Sequence, residues 1–362
     1  MTSTGHPWHK PSHRAWLGRG FERLLAFASP SPLTGGGFAY QAADGSEMPG
    51  RVPQLFLTCR LTHVAALGVA RGVPGSGRLL DHGVDSLLGA HLDRAHGGWL
   101  SELGGGPQRK QAYDHVHVAL AAASAVAVGH LRADRLLELA CEVVETRLWR
   151  EDEGALAESF AADWSDQEPY RGANANMHGT EAFLAVGDVT GDARWHERAL
   201  SMAERIIDRG ARGHGWLIPE HFRADWSEDP GYNRDDPHHQ FRPYGATPGH
   251  SLEWARFLCM LHASPLVASP GWLVEAADAL TRRAMQAWNL DGREGLPYTL
   301  DWDGRPVSLV RLHWPVCEGI QACVAVGTAT GSHDFDEWYQ QLWDHAAARF
   351  LDPATGAWVN EV

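Results

Sequence analysis

The sequence predicts an all-α fold, an (α/α)6 barrel or toroid of paired helices. Three observations point to it. Helical hydrophobic periodicity recurs through eleven segments, strand-like alternation is nearly absent, and tight helix-to-helix turns alternate with longer glycine-containing loops.

Taken in order, the segments are His13–Phe27, Arg51–Arg71 and Leu79–Leu92, followed by the loop His96-Gly97-Gly98-Trp99. Gln111–Gly129 and Leu131–Trp149 are joined tightly at Gly129–His130 and lead into Asp152–Leu156. Asn174–Gly187 and Ala193–Arg209 are joined across Gly187–Asp192, then comes Gly213-His214-Gly215-Trp216. Thr247–Ser264 and Trp272–Trp288 precede Gly292–Leu296, and Arg311–Thr328 and Ser332–Leu351, joined across Gly327–Ser332, precede Thr355-Gly356-Ala357-Trp358. At the tight joints glycine ends one helix and Asp or Ser caps the next. Each longer loop sets a glycine turn before an apolar residue, the pattern of a short hairpin. The repeat, roughly 55 to 80 residues, is somewhat longer than the usual helical-repeat periods, and helix pairs with long loops on one side can stack into an open solenoid or close into an (α/α)6 barrel. Six pairs close a ring; with eleven segments before Val362, the last inner helix is expected to be missing. With no linker or low-complexity run, residues 1–362 are expected to form a single domain.

Composition narrows the function. With 31 Lys+Arg against 45 Asp+Glu, a formal charge of -14 opposes nucleic acid and anionic lipid, and no basic stripe offsets it. No apolar run of about 18 residues and no secretory leader pattern occurs, so a cytoplasmic protein without membrane partners is expected. Five cysteines, Cys59, Cys141, Cys259, Cys317 and Cys323, lack CxxC spacing and mostly fall inside helical patterns, which predicts buried thiols. The 16 Trp and 21 His are in excess, but tryptophan fills cores as readily as it stacks on sugars, so only those at loop-to-helix junctions carry weight.

Two helix starts look alike. Asn174-Ala175-Asn176-Met177-His178-Gly179-Thr180-Glu181 and Thr247-Pro248-Gly249-His250-Ser251-Leu252-Glu253 each place a histidine in the first turn and a glutamate three residues on, on one helical face. Thr247 suits the N-cap and Pro248 the first helical position, so His250 lies beside free N–H groups that favour the neutral ring. One such histidine alone is a capping or core residue. Two in equivalent repeats point to a shared site. A di-metal site is the lesser reading, because it needs further inward carboxylates, and Asp235-Asp236-Pro237-His238-His239 reads as solvated loop polarity. Arg60, Tyr113, Arg242, and Trp314 with Glu318 occupy further helix starts, where donors and an aromatic face suit a sugar ring; for each alone, a salt bridge or core packing is at least as good a reading.

In sequence order, Leu-Thr-Cys-Arg60, Tyr113, Asn174-x-Asn-Met-His178-x-x-Glu181, Phe-Arg242-Pro-Tyr-Gly-Ala-Thr-Pro-Gly-His250-x-x-Glu253-Trp and Trp314-x-x-x-Glu318 resemble the N-acylglucosamine 2-epimerase superfamily over nearly the whole chain. The Thr-Pro-Gly-His-x-x-Glu-Trp form is most similar to its aldose–ketose isomerase branch, the mannose and sulfoquinovose isomerases. The resemblance implies the (α/α)6 barrel, no required metal or nucleotide cofactor, a monosaccharide substrate, His250 as a catalytic histidine, and Arg60, Tyr113, Asn174, His178 and Glu253 at pocket positions. It also implies a second catalytic histidine on the last inner helix. The expected activity is isomerisation of D-mannose to D-fructose through a cis-enediol, with His250 moving protons at the oxygens, Glu253 orienting it and donors such as Arg60 or His178 stabilising the oxyanion. Its rivals are 2-epimerisation of a free or N-acylated sugar, a glycoside hydrolase or lyase using Asp114 or Asp163, and a non-catalytic sugar-binding or interaction toroid. Monomer and homo-oligomer both remain open.

Overall fold

A computed structural model describes residues 5–105 and 108–362. It contains eleven α-helices among the described residues: α1 (Pro11–Ala28), α2 (Leu55–Ala70), α3 (Ser76–Leu88), α4 (Ala112–Ala127), α5 (Ala133–Val143), α6 (Ala173–Thr190), α7 (Ala193–Ala203), α8 (Pro248–Ala263), α9 (Trp272–Met285), α10 (His313–Thr330) and α11 (Asp336–Arg349). Strands are two or three residues long: β1 (Lys110–Gln111), β2 (Trp149–Arg150), β3 (Ala155–Leu156), β4 (Ser159–Phe160), β5 (Tyr170–Gly172) and β6 (His221–Arg223).

Two compact units are interleaved along the chain. One comprises Phe21–Arg171 and Ala175–Ser201; the other comprises Met1–Gly20, Gly172–Asn174 and Met202–Val362. In the first, α2 packs on α3 and α4, and α4 packs on α5. Helix α4 is buried nearly all round, from Ala112 through Ala125, whereas α5 buries one stripe, Ala133, Leu136, Leu137 and Ala140. That contrast separates a helix covered on every side from an amphipathic one. In the other unit α8 packs on α9 and α10, and α10 packs on α11. Helix α8 is again buried almost throughout, while α11 buries only Tyr339, Leu342, His345 and Ala346.

The expected segments fall on the observed helices, with differences at their ends. Helices α6 and α10 run past Gly187 and Gly327 and stop at the left-handed Gly191 (φ 71°) and Gly331 (φ 67°). Gly187 and Gly327 lie inside helices because a neighbour needs the space: a Cβ would come within 2.2 Å of the His196 ring or 2.7 Å of the Trp8 ring. The C-terminal stretches beyond α5 and α7 continue as π-helical turns, Val144–Leu148 and Glu204–Gly210. Three of the five glycine loops close as antiparallel hairpins, by β2–β3 pairing and by the bridges Leu92–Trp99 and Leu351–Trp358.

No helix among the described residues is long and apolar enough to cross a membrane. The five cysteines are free thiols. Burial pushes Cys141, Cys259, Cys317 and Cys323 up to about 12 and Cys59 well above the ordinary thiol range. Because the thiolate is the nucleophile, native protein at pH 8 is expected to resist iodoacetamide at all five positions. Mass spectrometry should find five adducts only after unfolding.

Candidate functional site

Each unit holds one polar cluster built on its buried helices. In the unit containing α8, Thr247 occupies the N-cap position in extended conformation and Pro248 the first helical position, as the sequence predicts. The Thr247 hydroxyl nevertheless makes no capping bond. His250 is the third helical residue. Its Nδ1 lies 2.9 Å from Oε1 of Glu220, and both residues are buried, with 8% and 3% of their surface exposed.

Glu220 is fixed from two sides. Its carbonyl accepts from the backbone N–H of Ala173 (3.0 Å), and the next residue, His221, bonds through Nε2 to the Pro243 carbonyl (2.7 Å) and stacks on Tyr232 (4.6 Å). A buried carboxylate facing Nδ1 holds the ring proton there and leaves the Nε2 lone pair outward. Among the described residues no protein hydrogen bond occupies Nε2.

Glu253 is the residue expected to orient His250, whereas the carboxylate that faces Nδ1 of that ring is Glu220. The i,i+3 spacing puts both on one helix face, but the Nδ1 edge of the ring is turned toward Glu220, which arrives from another segment. Glu253 stands 4.0 Å from Arg256, whose Nε lies 3.4 Å from Glu318. Glu318 thus belongs to a carboxylate–guanidinium–carboxylate row across α8 and α10.

Trp314, second in α10, lies with its ring centroid 5.4 Å from that of His250 and has the edge of Tyr298 at 6.4 Å. Gly249 makes this approach possible, since a Cβ there would fall 2.4 Å from Trp314 Cζ3. Gly249→Ala is therefore expected to displace Trp314 and lower kcat/KM by roughly tenfold, with the fold retained by circular dichroism.

Arg242 and Asn174, expected at pocket positions, brace the loop before α8. Arg242 Nη1 donates to the Tyr232 hydroxyl (3.2 Å), and Asn174 Nδ2 donates to the Phe241 carbonyl (3.3 Å). Of the adjacent histidines, His238 bonds through Nδ1 to Ser308 Oγ (2.6 Å), and His239 Nδ1 accepts the backbone N–H groups of Phe241 and Arg242 (3.2 and 3.0 Å). Those rings are loop fasteners, while Asp235 and Asp236 are exposed.

In the other unit, Arg60 of α2 donates from Nη2 to the Tyr113 hydroxyl (2.9 Å) and from Nε to His117 Nε2 (3.3 Å). His117 donates its Nδ1 proton to the Tyr113 carbonyl one turn earlier (2.7 Å). Burial, reinforced by Arg60 and His178, holds His117 well below the ordinary histidine range, so its ring is neutral. His178 meets Tyr113 edge-on (5.1 Å) and lies 4.7 Å from the His117 ring, with its Nδ1 3.6 Å from Glu181. The two look-alike helix starts are therefore not equivalent. Because α6 begins at Ala173, His178 lies in its second turn and faces its own i+3 glutamate, whereas His250 takes Glu220.

The two aspartates considered as hydrolytic acids differ in their surroundings. Asp114 is buried, its carboxyl pushed up to about 6 by burial, and it accepts the Ser101 hydroxyl (2.5 Å). Asp163 is exposed and caps its own turn through Ser165.

The family model for N-acylglucosamine 2-epimerase (GlcNAc 2-epimerase) matches residues 36–362. The chain belongs to this family. Among its relatives are a D-mannose isomerase of Thermobifida fusca, 44% identical over 358 residues (98% of this chain, 88% of that protein), and a D-mannose isomerase of Pseudomonas cannabina pv. alisalensis, 44% identical over 358 residues (97% and 86%). A crystal structure of D-mannose isomerase matches with a TM-score of 0.90 at 28% identity, covering 96% of this chain and 90% of that one. The all-α fold predicted from helix pairs is thus that of the N-acylglucosamine 2-epimerase family. For this family member, sequence reasoning missed two site residues. His117 carried a usable signal, four residues after Tyr113 and so on the same face of α4. Glu220 carried none, lying in Pro219-Glu220-His221 just before a three-residue strand.

Proposed function

We propose that this chain is an aldose–ketose isomerase that converts D-mannose to D-fructose in the cytoplasm, as one catalytic domain over residues 1–362. The observation that carries the reading is the buried Glu220–His250 pair, with no protein hydrogen bond on Nε2 among the described residues and the Trp314 ring centroid 5.4 Å from that of His250. The relatives named above support the sugar, and the absence of disulfides among five cysteines fits a reducing compartment.

The pyranose must open before C2 becomes acidic. Nε2 of His250 takes the proton of the anomeric hydroxyl and returns one to the ring oxygen, while the Glu220 carboxylate stabilises the imidazolium that forms between these steps. Removal of the C2 proton with protonation of O1 then gives a cis-enediol, and protonation at C1 with loss of the O2 proton gives the ketose. The resemblance assigns the carbon-bound proton to a second histidine of the family. Trp314 stacks on the sugar, and the Arg60, Tyr113 and His178 cluster of the other unit is a set of donors of the kind that suits sugar oxygens. Glu253 and Glu318 hold Arg256 as a further donor, and Arg242 and Asn174 fix the loop that presents α8. No cofactor is required by this chemistry.

Incubation with D-mannose in D2O, followed by NMR, tests the proposal. Fructose carrying deuterium at C1 is expected. Glucose labelled at C2 would replace isomerisation by 2-epimerisation, and failure to convert any aldose would sink the enzymatic reading.

A further inference from the structure

Away from both clusters described above, His6, His333 and Asp336 gather at the start of α11, their donor atoms all within 4.8 Å of one another. His6 Nδ1 lies 2.7 Å from Asp336 Oδ1, and His333 Nδ1 lies 2.7 Å from Oδ2 of the same carboxylate. The two imidazoles stack at 4.3 Å, and the opposite face of His6 stacks on Trp8 at 4.3 Å and 6°. Trp8 is itself fixed, buried against the edge of Tyr339 and the notch left by Gly327. The His6 ring is thus held between two aromatic faces with only its edge free to act.

We propose that His6, His333 and Asp336 bind a divalent transition ion, Zn2+ or one of similar preference, that fastens the N-terminal segment to α11. Two imidazole nitrogens and a carboxylate are the ligand set such ions prefer over Mg2+ and Ca2+, and three protein ligands leave a fourth tetrahedral position for water. Both rings turn the same nitrogen to one carboxylate. An ion bound there takes the place of the two Nδ1 protons, and each ring, bound as neutral imidazole, carries its one proton on Nε2 instead. With bonds of roughly 2.0–2.2 Å, neighbouring ligand atoms in a tetrahedral site lie roughly 3.3 Å apart, so each N···O pair must open by roughly 0.6 Å. His333 provides that movement, being 58% exposed at its side chain, against the fixed wall of His6 (15%). The ligands come from opposite ends of the chain, so the ion closes a long loop and stabilises the fold it binds.

The test is titration of the purified chain with Zn2+ by calorimetry, and with Co2+ by visible absorption. Parent protein is expected to bind one equivalent with four-coordinate Co2+ bands and to gain a few degrees in Tm with Zn2+. His6→Ala and His333→Ala are each expected to weaken that equivalent by at least tenfold and to abolish the Tm gain. His333→Ala removes an exposed ligand and leaves the start of α11 intact, so misfolding does not confound it. Equal binding by parent and both variants, or no stoichiometric binding by the parent, overturns the site.

Discussion

Replacing His250 with alanine is expected to lower kcat for aldose isomerisation by about 10³-fold or more, with a much smaller change in KM. The size of the effect follows from the geometry. His250 is the one ring in its cluster whose Nδ1 is committed to a buried carboxylate while Nε2 is open, so no neighbour can take over its proton transfers. Glu220→Gln separates positioning from charge. Glutamine keeps an oxygen for the Nδ1 proton but loses the negative charge that stabilises imidazolium, so kcat is expected to fall roughly 10- to 100-fold at unchanged KM. Glu253→Gln is expected to cost less than Glu220→Gln, because Glu253 is paired toward Arg256. If Glu253→Gln proved the more damaging, or His250→Ala retained full turnover, the assignment of His250 and Glu220 would be wrong. Steady-state kinetics by a ketose-specific assay decides among these outcomes.

That Glu220 had to be found in the structure shows where sequence reading ends. The helices were legible because α5 and α11 bury one stripe, which is periodic in sequence, and because α4 and α8, buried nearly all round, are rich in apolar residues between turn signals. Helix ends were less legible. Gly187 and Gly327 look like stops, yet they are openings for His196 and Trp8, and only the packing partner reveals that. The cluster of Arg60, Tyr113 and His178 was readable because each residue lies near the start of a helix in the same alternating set. His117 was hidden in a run of Ala and Val that reads as core. Glu253 drew the role of Glu220 because helical spacing finds neighbours along one element, and the better partner came from a segment with no period at all.

A second large effect is expected at a pair that no periodicity announces. Lys110, with 2% of its side chain exposed, donates from Nζ to Asp93 (2.6 Å) and to the Trp99 carbonyl (3.3 Å). Lys110 begins β1, directly before α4, so the pair fastens the Leu92–Trp99 hairpin to the helix that carries Tyr113 and His117. Asp93→Ala leaves a buried ammonium without its counter-charge and is expected to destabilise the fold by about 3–5 kcal/mol. The double variant Asp93→Leu, Lys110→Met is expected to recover most of that loss, because two apolar side chains leave no buried charge uncompensated. Acid should act on the same pair. Burial alone would raise the Asp93 carboxyl, but the hydrogen bond from Lys110 and the backbone N–H groups of Ala95 and His96 outweigh it and hold the group below its ordinary 3.8. A carboxyl depressed in the folded state binds fewer protons than in the unfolded state. Its contribution is therefore fully present above about pH 4 and is lost as pH falls toward the folded value. Urea unfolding followed from pH 6 down to pH 3 should show the parent losing stability more steeply below pH 4 than Asp93→Asn does. Parallel curves for the two proteins would mean that the pair adds nothing to the fold's tolerance of acid.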